Sequence, residues 1–325
     1  MRFILEKLLT FNLNSKNKEL ILIYDGFEQI ISNPFTHQLF HILKKNFKIK
    51  LIQLTKIIKK EPKFKNKQFV LVISRLRNWK FLPGVAENFF LNNHVFFYDQ
   101  DPWEAYHDYG TCKGIYELIN QKILPEAFLT TSEWWSNFIK KNSNVPAEFV
   151  KMGILSKYCH HRIPYRKKTY EVGFQGLVHT YRQNFFSKLQ KNGINLEILP
   201  REPFFKFLNS VQKIKIFICS SKHGLQINGK SHPYHGLWGT ALTVAGRGCF
   251  VIRDYDLAYK GYNIKELPAI STFKNNQQAL QLIRNILDRS DEENDKIIME
   301  TVNKLKNRND WQSLPDYIKN NINNC

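Results

Sequence analysis

The chain has 325 residues, with 48 Lys+Arg against 28 Asp+Glu for a formal net charge of +20, and is 43% hydrophobic and 14% aromatic. That apolar content excludes a disordered chain, and 15 Gly with 12 Pro exclude a collagen-like or low-complexity one. At roughly 150 residues per domain the length suggests about two domains. No run of about 18 apolar residues occurs, so no membrane-spanning helix is expected.

From the N-terminus, Glu6 and Lys7 interrupt the apolar stretch and no small-residue cleavage site follows, so it is not read as a signal peptide. Glu19 to Tyr24 is a short apolar run ending at Asp25-Gly26, a strand entering a turn. Phe35, Leu39, Phe40 and Leu43 have helical spacing over Pro34 to Lys45, and Phe47 to Leu54 alternates as a strand does. Lys44, Lys45, Lys48, Lys50, Lys56, Lys59, Lys60, Lys63, Lys65 and Lys67 then face a single acid, Glu61. Such a run attracts an anionic surface, or is a solvated face and no more.

Gln68 to Ile73 and His94 to Tyr98 are two further buried-type strands. Directly after the second stands Asp99-Gln100-Asp101-Pro102-Trp103. Three readings stay open: an ordinary Asp-Pro turn covered by Trp103, an acceptor-site carboxylate acting as general base, or a D-x-D pair sharing a divalent cation with a diphosphate. Ala127 to Thr131 is a strand, Ser132 an N-cap and Glu133 to Lys141 a helix, and Glu148 to Met152 closes the series.

The polar, basic stretch from Lys157 to Lys168 is taken as the boundary, giving domains 1–165 and 166–325. The second half repeats the style. Tyr170 to Phe174 is a strand, Gln175-Gly176 a turn, and Thr180 to Asn192 a helix. Gly176 lets the backbone approach a ligand, Arg182 in the first helical turn can meet a phosphate, and His179 can point the same way. Ile194 to Leu199 and Ile214 to Cys219 are strands around a helix at Phe204 to Val211. A polar loop of 220–236 follows, holding Lys222, His223, Lys230, His232 and His235. Gly236 to Gly246 is a helix, Gly246-Arg247-Gly248 its glycine exit, and Cys249 to Arg253 a strand. Helices fill much of Gln277 to Asn307 and the C-terminus, with the last one crossing back toward the first half.

The five cysteines are odd in number and scattered, without zinc-ligand spacing, and read as reduced cytosolic thiols. Strands alternating with helices imply an α/β protein of two doubly wound, Rossmann-like domains facing a cleft, with ligands at the carboxyl ends of the strands.

The motifs at Val172 to Ile194, Ile214 to Ser220 and Gly224 to Asp254 resemble the C-terminal domain of GT-B glycosyltransferases, in particular the spore-maturation-protein-like glycosyl transferases. The trailing segment Gln277 to Arg284 and Trp311 fit as well, so the resemblance covers 170–311. It implies a nucleotide-sugar donor on the C-terminal domain and an acceptor on the N-terminal one. Gly176, His179 and Arg182 would lie near the donor diphosphate, Lys222 and His223 would follow the strand facing the nucleotide, and Thr240, Arg247, Gly248 and Cys249 would complete the donor site. Asp99, Asp101 and His223 are the catalytic candidates, with Trp103 on the acceptor. The retaining members usually carry two Glu across the helix before the glycine turn, whereas the segment Leu237 to Gly248 carries no acid.

The expectation is a glycosyltransferase that needs no cofactor or metal, since helix N-termini and Lys/Arg can stabilise the leaving diphosphate. The Lys44 to Lys67 run would dock it on an anionic membrane, at the cytoplasmic face, near a glycan or lipid-linked acceptor. A nucleic-acid-binding or DNA-modifying protein is the alternative reading of the charge, though no helix-turn-helix, RNP or zinc signature is present. A non-catalytic GT-B binding module is a third.

Overall fold

A computed structural model describes residues 18–26, 34–59, 67–176, 178, 180–200, 202–219, 225–232 and 239–323. In chain order the first half runs β1 (Glu19–Tyr24), α1 (Pro34–Asn46), β2 (Lys48–Gln53), α2 (Leu54–Lys59), β3 (Phe69–Val72), α3 (Leu76–Trp79), α4 (Glu87–Leu91), β4 (His94–Asp99), α5 (Trp103–Tyr106), α6 (Ile115–Ile123), β5 (Ala127–Thr130), α7 (Glu133–Ser143) and β6 (Ala147–Phe149). The second half runs β7 (Tyr170–Gln175), α8 (Thr180–Lys191), β8 (Leu196–Leu199), α9 (Phe204–Val211), β9 (Ile214–Cys219), β10 (Leu225–Ile227), β11 (Lys230–His232), α10 (Gly239–Gly246), β12 (Phe250–Asp254), β13 (Ile270–Phe273), α11 (Asn276–Leu287), α12 (Asp291–Asn307) and α13 (Ser313–Asn323).

The strands form two parallel sheets, ordered β2-β1-β3-β4-β5-β6 and β13-β12-β9-β7-β8, with helices on both faces. The protein is therefore α/β with two doubly wound sheets. Strand chemistry explains the order. β1, β3, β4 and β5 are near-continuous apolar runs, as strands covered on both faces must be. Successive residues alternate between the two cores: Leu20, Leu22 and Tyr24 face one, Ile21 and Ile23 the other. β2 sits at the edge, where Lys48 and Lys50 reach solvent and deter further pairing.

Helix ends follow their capping chemistry. The Ser132 hydroxyl accepts from Trp135 N–H at 3.4 Å to start α7, as its sequence predicts. Ser290 caps α12, whose first turn holds Asp291, Glu292 and Glu293 and whose last turn holds Lys304 and Lys306, matching the helix dipole.

The final helix returns to the first half. Ser313 Oγ accepts from Lys151 N–H at 2.7 Å, and Tyr317 stands edge-on to Phe96 of β4 with ring centroids 6.1 Å apart. No helix among the described residues is long and apolar enough to cross a membrane.

Two local readings change. The strand expected at Glu148 to Met152 is the shorter β6. The segment read as a loop contains the antiparallel hairpin β10–β11, turned at Asn228 and Gly229, both in the left-handed region. Lys60, Lys63, Lys65, His179, Lys222, His223 and His235 lie outside the described residues.

Candidate functional site

In parallel sheets of this kind ligands gather at the carboxyl ends of the strands. Here the two carboxyl edges face one another. Tyr262, eight residues beyond the end of β12, donates its hydroxyl proton to Thr131 O at 2.7 Å, just past β5, and accepts from Met152 N–H at 3.2 Å. Gly261 leaves room for Phe149 at the end of β6, since a Cβ there would meet the ring at 2.8 Å. From the other side, the β10–β11 hairpin reaches the first half. Asp108 accepts from Asn228 and Gly229 N–H, both at 2.8 Å, and Leu225 and Ile227 pack among Trp103, Tyr106, Trp134 and Trp135.

On the first edge, Asp99 ends β4 and is only 4% exposed. Its Oδ2 accepts from Tyr116 O–H at 2.5 Å and its Oδ1 from Asp101 N–H at 2.9 Å. Burial pushes the carboxyl up to about 7, against the opposing pull of those two donors. Asp101 is half-buried one turn further out, and Trp103 is half-buried beside the hairpin cluster. The sequence reading placed Asp99 and Asp101 as alternatives. The geometry gives them different positions: Asp99 is internal and holds the turn that presents Asp101. Among the described residues no group of three His, Cys, Asp or Glu side chains could hold a metal ion.

On the second edge, Gly176 follows β7 with φ +144°, a conformation other residues rarely adopt, and a Cβ there would lie 3.1 Å from the Phe174 ring. Arg182, in the first turns of α8, stacks its guanidinium on Phe174 at 5.1 Å from the ring centroid. The strand order reverses between β7 and β9, the switch point where such sheets bind ligands. Cys219, at the end of β9, has its thiol pushed up to about 12 by burial, while the nearby charges of Arg253 and Arg182 pull it down. An Arg182 Nη lies 3.9 Å from where a Cβ on Gly176 would stand, which puts the guanidinium at the carboxyl end of β7, beside the switch point. Thr240 opens α10 half-buried, and Gly239 beside it lies so close to Phe35 of α1 that a Cβ would be 2.5 Å from that ring.

Sequence reasoning missed the acids at the end of β12. Asp254 and Asp256 are 2% exposed, and Arg253 pairs with Asp256 at 2.9 Å inside the protein. Burial, then the Asp254 charge, push Tyr181 of α8 up to about 12, which places that phenol on the same edge. The signal was present: Asp254-Tyr255-Asp256 repeats, at the end of β12, the spacing of Asp99-Gln100-Asp101 at the end of β4.

Arg247, Gly248 and Cys249 are a correction. They precede β12 and so stand at the amino edge of the sheet, away from the carboxyl edge where a donor would bind. Arg247 is 4% exposed, with Nε donating to Leu208 O at 3.1 Å and an Nη to Tyr158 O at 3.0 Å. Gly248, at φ +83°, closes α10, and a Cβ there would meet His161 at 2.6 Å. Cys249 is fully buried with its thiol on Val211 O at 2.9 Å. These three residues hold the fold.

No protein-family model matches the chain, and no curated protein matches it in sequence. Solved structures do share its architecture. An alpha-glucosyltransferase in complex with UDP-glucose and DNA containing an abasic site superimposes with a TM-score of 0.55 at 11% identity, over 93% of this chain and 99% of that one. Sucrose-phosphate synthase from Thermosynechococcus elongatus gives 0.56 at 8%, over 94% and 98%. HepE from Anabaena, in complex with UDP and glucose, gives 0.59 at 8%, over 95% and 100%. These are GT-B glycosyltransferases, and at such identities the likeness is one of fold.

Proposed function

We propose that the protein is a glycosyltransferase that holds a nucleotide-sugar on the second sheet and an acceptor on the first, a relative in kind of the spore-maturation-protein-like glycosyl transferases. The observation that carries the reading is Arg182 at the β7/β9 switch point beside the left-handed Gly176. A diphosphate there would meet the guanidinium and the N-terminal end of α8, both suited to the charge that develops on a leaving group. The acceptor hydroxyl would attack the anomeric carbon of the sugar, and its proton would pass to the Asp101 carboxylate. The bond from that carbon to the diphosphate oxygen breaks, and the diphosphate leaves with the electron pair. His179, Lys222, His223 and Thr240 complete the proposed donor side, Trp103 lines the acceptor side, and no metal is needed.

The exposed Lys45, Lys48, Lys50, Lys56 and Lys59 support docking on an anionic surface. The reading places the protein on the inner face of the membrane, with a glycan or lipid-linked acceptor. A DNA acceptor is the second reading, favoured by the +20 charge and by fold neighbours solved with DNA. Strongly salt-dependent binding to duplex DNA, with none to anionic liposomes, decides for it.

The donor reading is tested by thermal shift with UDP, GDP, TDP and CMP sugars. A true donor raises the midpoint, by the equivalent of about 2.7 kcal/mol at a hundredfold excess over Kd. Arg182→Ala should abolish most of that gain. Asp101→Asn should leave it intact and cut transfer by about 10²–10⁴. Absence of stabilisation by every nucleotide-sugar, or full retention of it in Arg182→Ala, overturns the donor assignment.

A further inference from the structure

One charged cluster has no part in that reaction. His37 and His41 lie one turn apart on α1, followed by Lys44 and Lys45 in its last turn. Lys157, from the connection between the two sheets, brings Nζ within 3.3 Å of both ring nitrogens of His41 and lies over the Tyr158 ring at 4.9 Å. His37 meets Tyr158 O–H at 3.0 Å, and its ring packs at 5.1 Å against both Phe204 and Phe205 of α9. The cluster therefore sits on the seam where the first half, the connection and the second half meet.

Among the described residues, the groups whose charge acts on His41 are Lys157, Lys45, His37 and Lys44, all cations or imidazoles. Among the described residues, no ion pair links Lys45 or Lys157 to a carboxylate. Burial, reinforced by those four groups, holds His41 down at about 4. Burial and then Lys45 also lower Lys157. Crowding like charges around a half-buried ring is unfavourable until an anion joins them.

We propose that this seam is a phosphate-binding site, in which Lys157 and Lys45 hold the anion and His41 becomes a third donor by taking up a proton. The site is separate from the donor and acceptor edges and stands whether or not the transferase reading does. Phosphate suits it because cations converge from two different segments, and a phosphate offers several acceptor oxygens and up to two charges. Its negative charge favours the imidazolium form of His41, so binding would draw a proton from solution. Because the seam joins both halves, occupancy would also brace them against one another.

The test is a titration of the full chain with inorganic phosphate at constant ionic strength, following the His41 ring by NMR. A saturable shift of that ring toward the imidazolium position in the millimolar range is expected. Loss of a charge-assisted contact in Lys157→Ala should weaken the affinity about tenfold or more. Lys45→Ala, which touches only an exposed side chain, should weaken it in the same direction and guards against a folding defect. Absence of any saturable shift, or equal affinity in all three proteins, overturns the site. Phosphatidylglycerol vesicles separate the possible sources. Capture by vesicles that free phosphate competes away and Lys157→Ala abolishes identifies a lipid headgroup. Phosphate binding without vesicle capture identifies a free phosphate.

Discussion

Asp99 and His41 pull the pH dependence of stability in opposite directions. Asp99 keeps its proton in the folded protein up to about 7, whereas an unfolded aspartate loses it near 3.8. Between those values the native state holds the extra proton, so this group favours folding below pH 4 and loses that contribution as pH rises through 7. His41 is held down to about 4 when folded, against 6.5 when unfolded, so between those values the unfolded state takes up the proton. Its effect is that stability falls on acidification. Asp99→Asn should therefore lose more stability than wild type between pH 7 and pH 4.5, and His41→Gln less. Urea unfolding at the two pH values reads both, and equal pH slopes in the three proteins contradict the assignment. Of these residues only Asp99 stood out in the sequence, because a carboxylate ending an apolar run is conspicuous. Its partner Tyr116 comes from α6, and nothing local marks it. Arg247, Gly248 and Cys249 were misplaced for another reason. The sequence already orders the glycine turn before the strand, at its amino edge, and the donor role was carried over from the resemblance alone.

At the scale of elements, the central strands were legible because burial on both faces demands unbroken apolar runs. The β10–β11 hairpin was not, since each arm has three residues and only Leu225 and Ile227 are apolar and buried. What fixes it lies in the other half. Asp108 accepts two N–H bonds at the turn and donates its own N–H to Gln226 O at 2.8 Å, while His232 leans on Trp134 with ring centroids 6.1 Å apart. The N–H of Gly229, then that of Asn228, hold the Asp108 carboxyl below its usual range. That latch is present above the ordinary aspartate pKa and is lost as pH falls through the depressed one. Asp108→Ala should leave the hairpin amides exchanging faster than in wild type, with the sheet strands unchanged. The Trp134 fluorescence should shift as its neighbour moves off. Unaltered exchange at Gln226 to Ser231 would show that the apolar contacts alone hold the hairpin.

At the scale of the whole molecule, the two-sheet plan and the return of the last helix were visible in the sequence, but the core that the two sheets share was not. One core runs unbroken from Leu22 and Phe96 of the first sheet to Ile216 and Val251 of the second, and takes in Ile318 of α13. Tyr262 contacts Thr131 and Met152 across more than a hundred residues of sequence, a pairing no local pattern encodes. A shared core predicts that the halves unfold together. Calorimetry on the intact chain should show a single transition whose van't Hoff and calorimetric enthalpies agree. Tyr262→Phe keeps the ring but strands a carbonyl and an amide in the interior, which costs about 2–4 kcal/mol for such a pair of buried groups. Because those bonds tie the carboxyl edge of the first sheet to the segment after β12, their loss should also broaden the transition as the halves begin to separate. Two resolved transitions in the unaltered protein would mean that the sheets are independent units. The facing carboxyl edges would then be held by local contacts such as the hairpin, Tyr262, and Gly261 against Phe149.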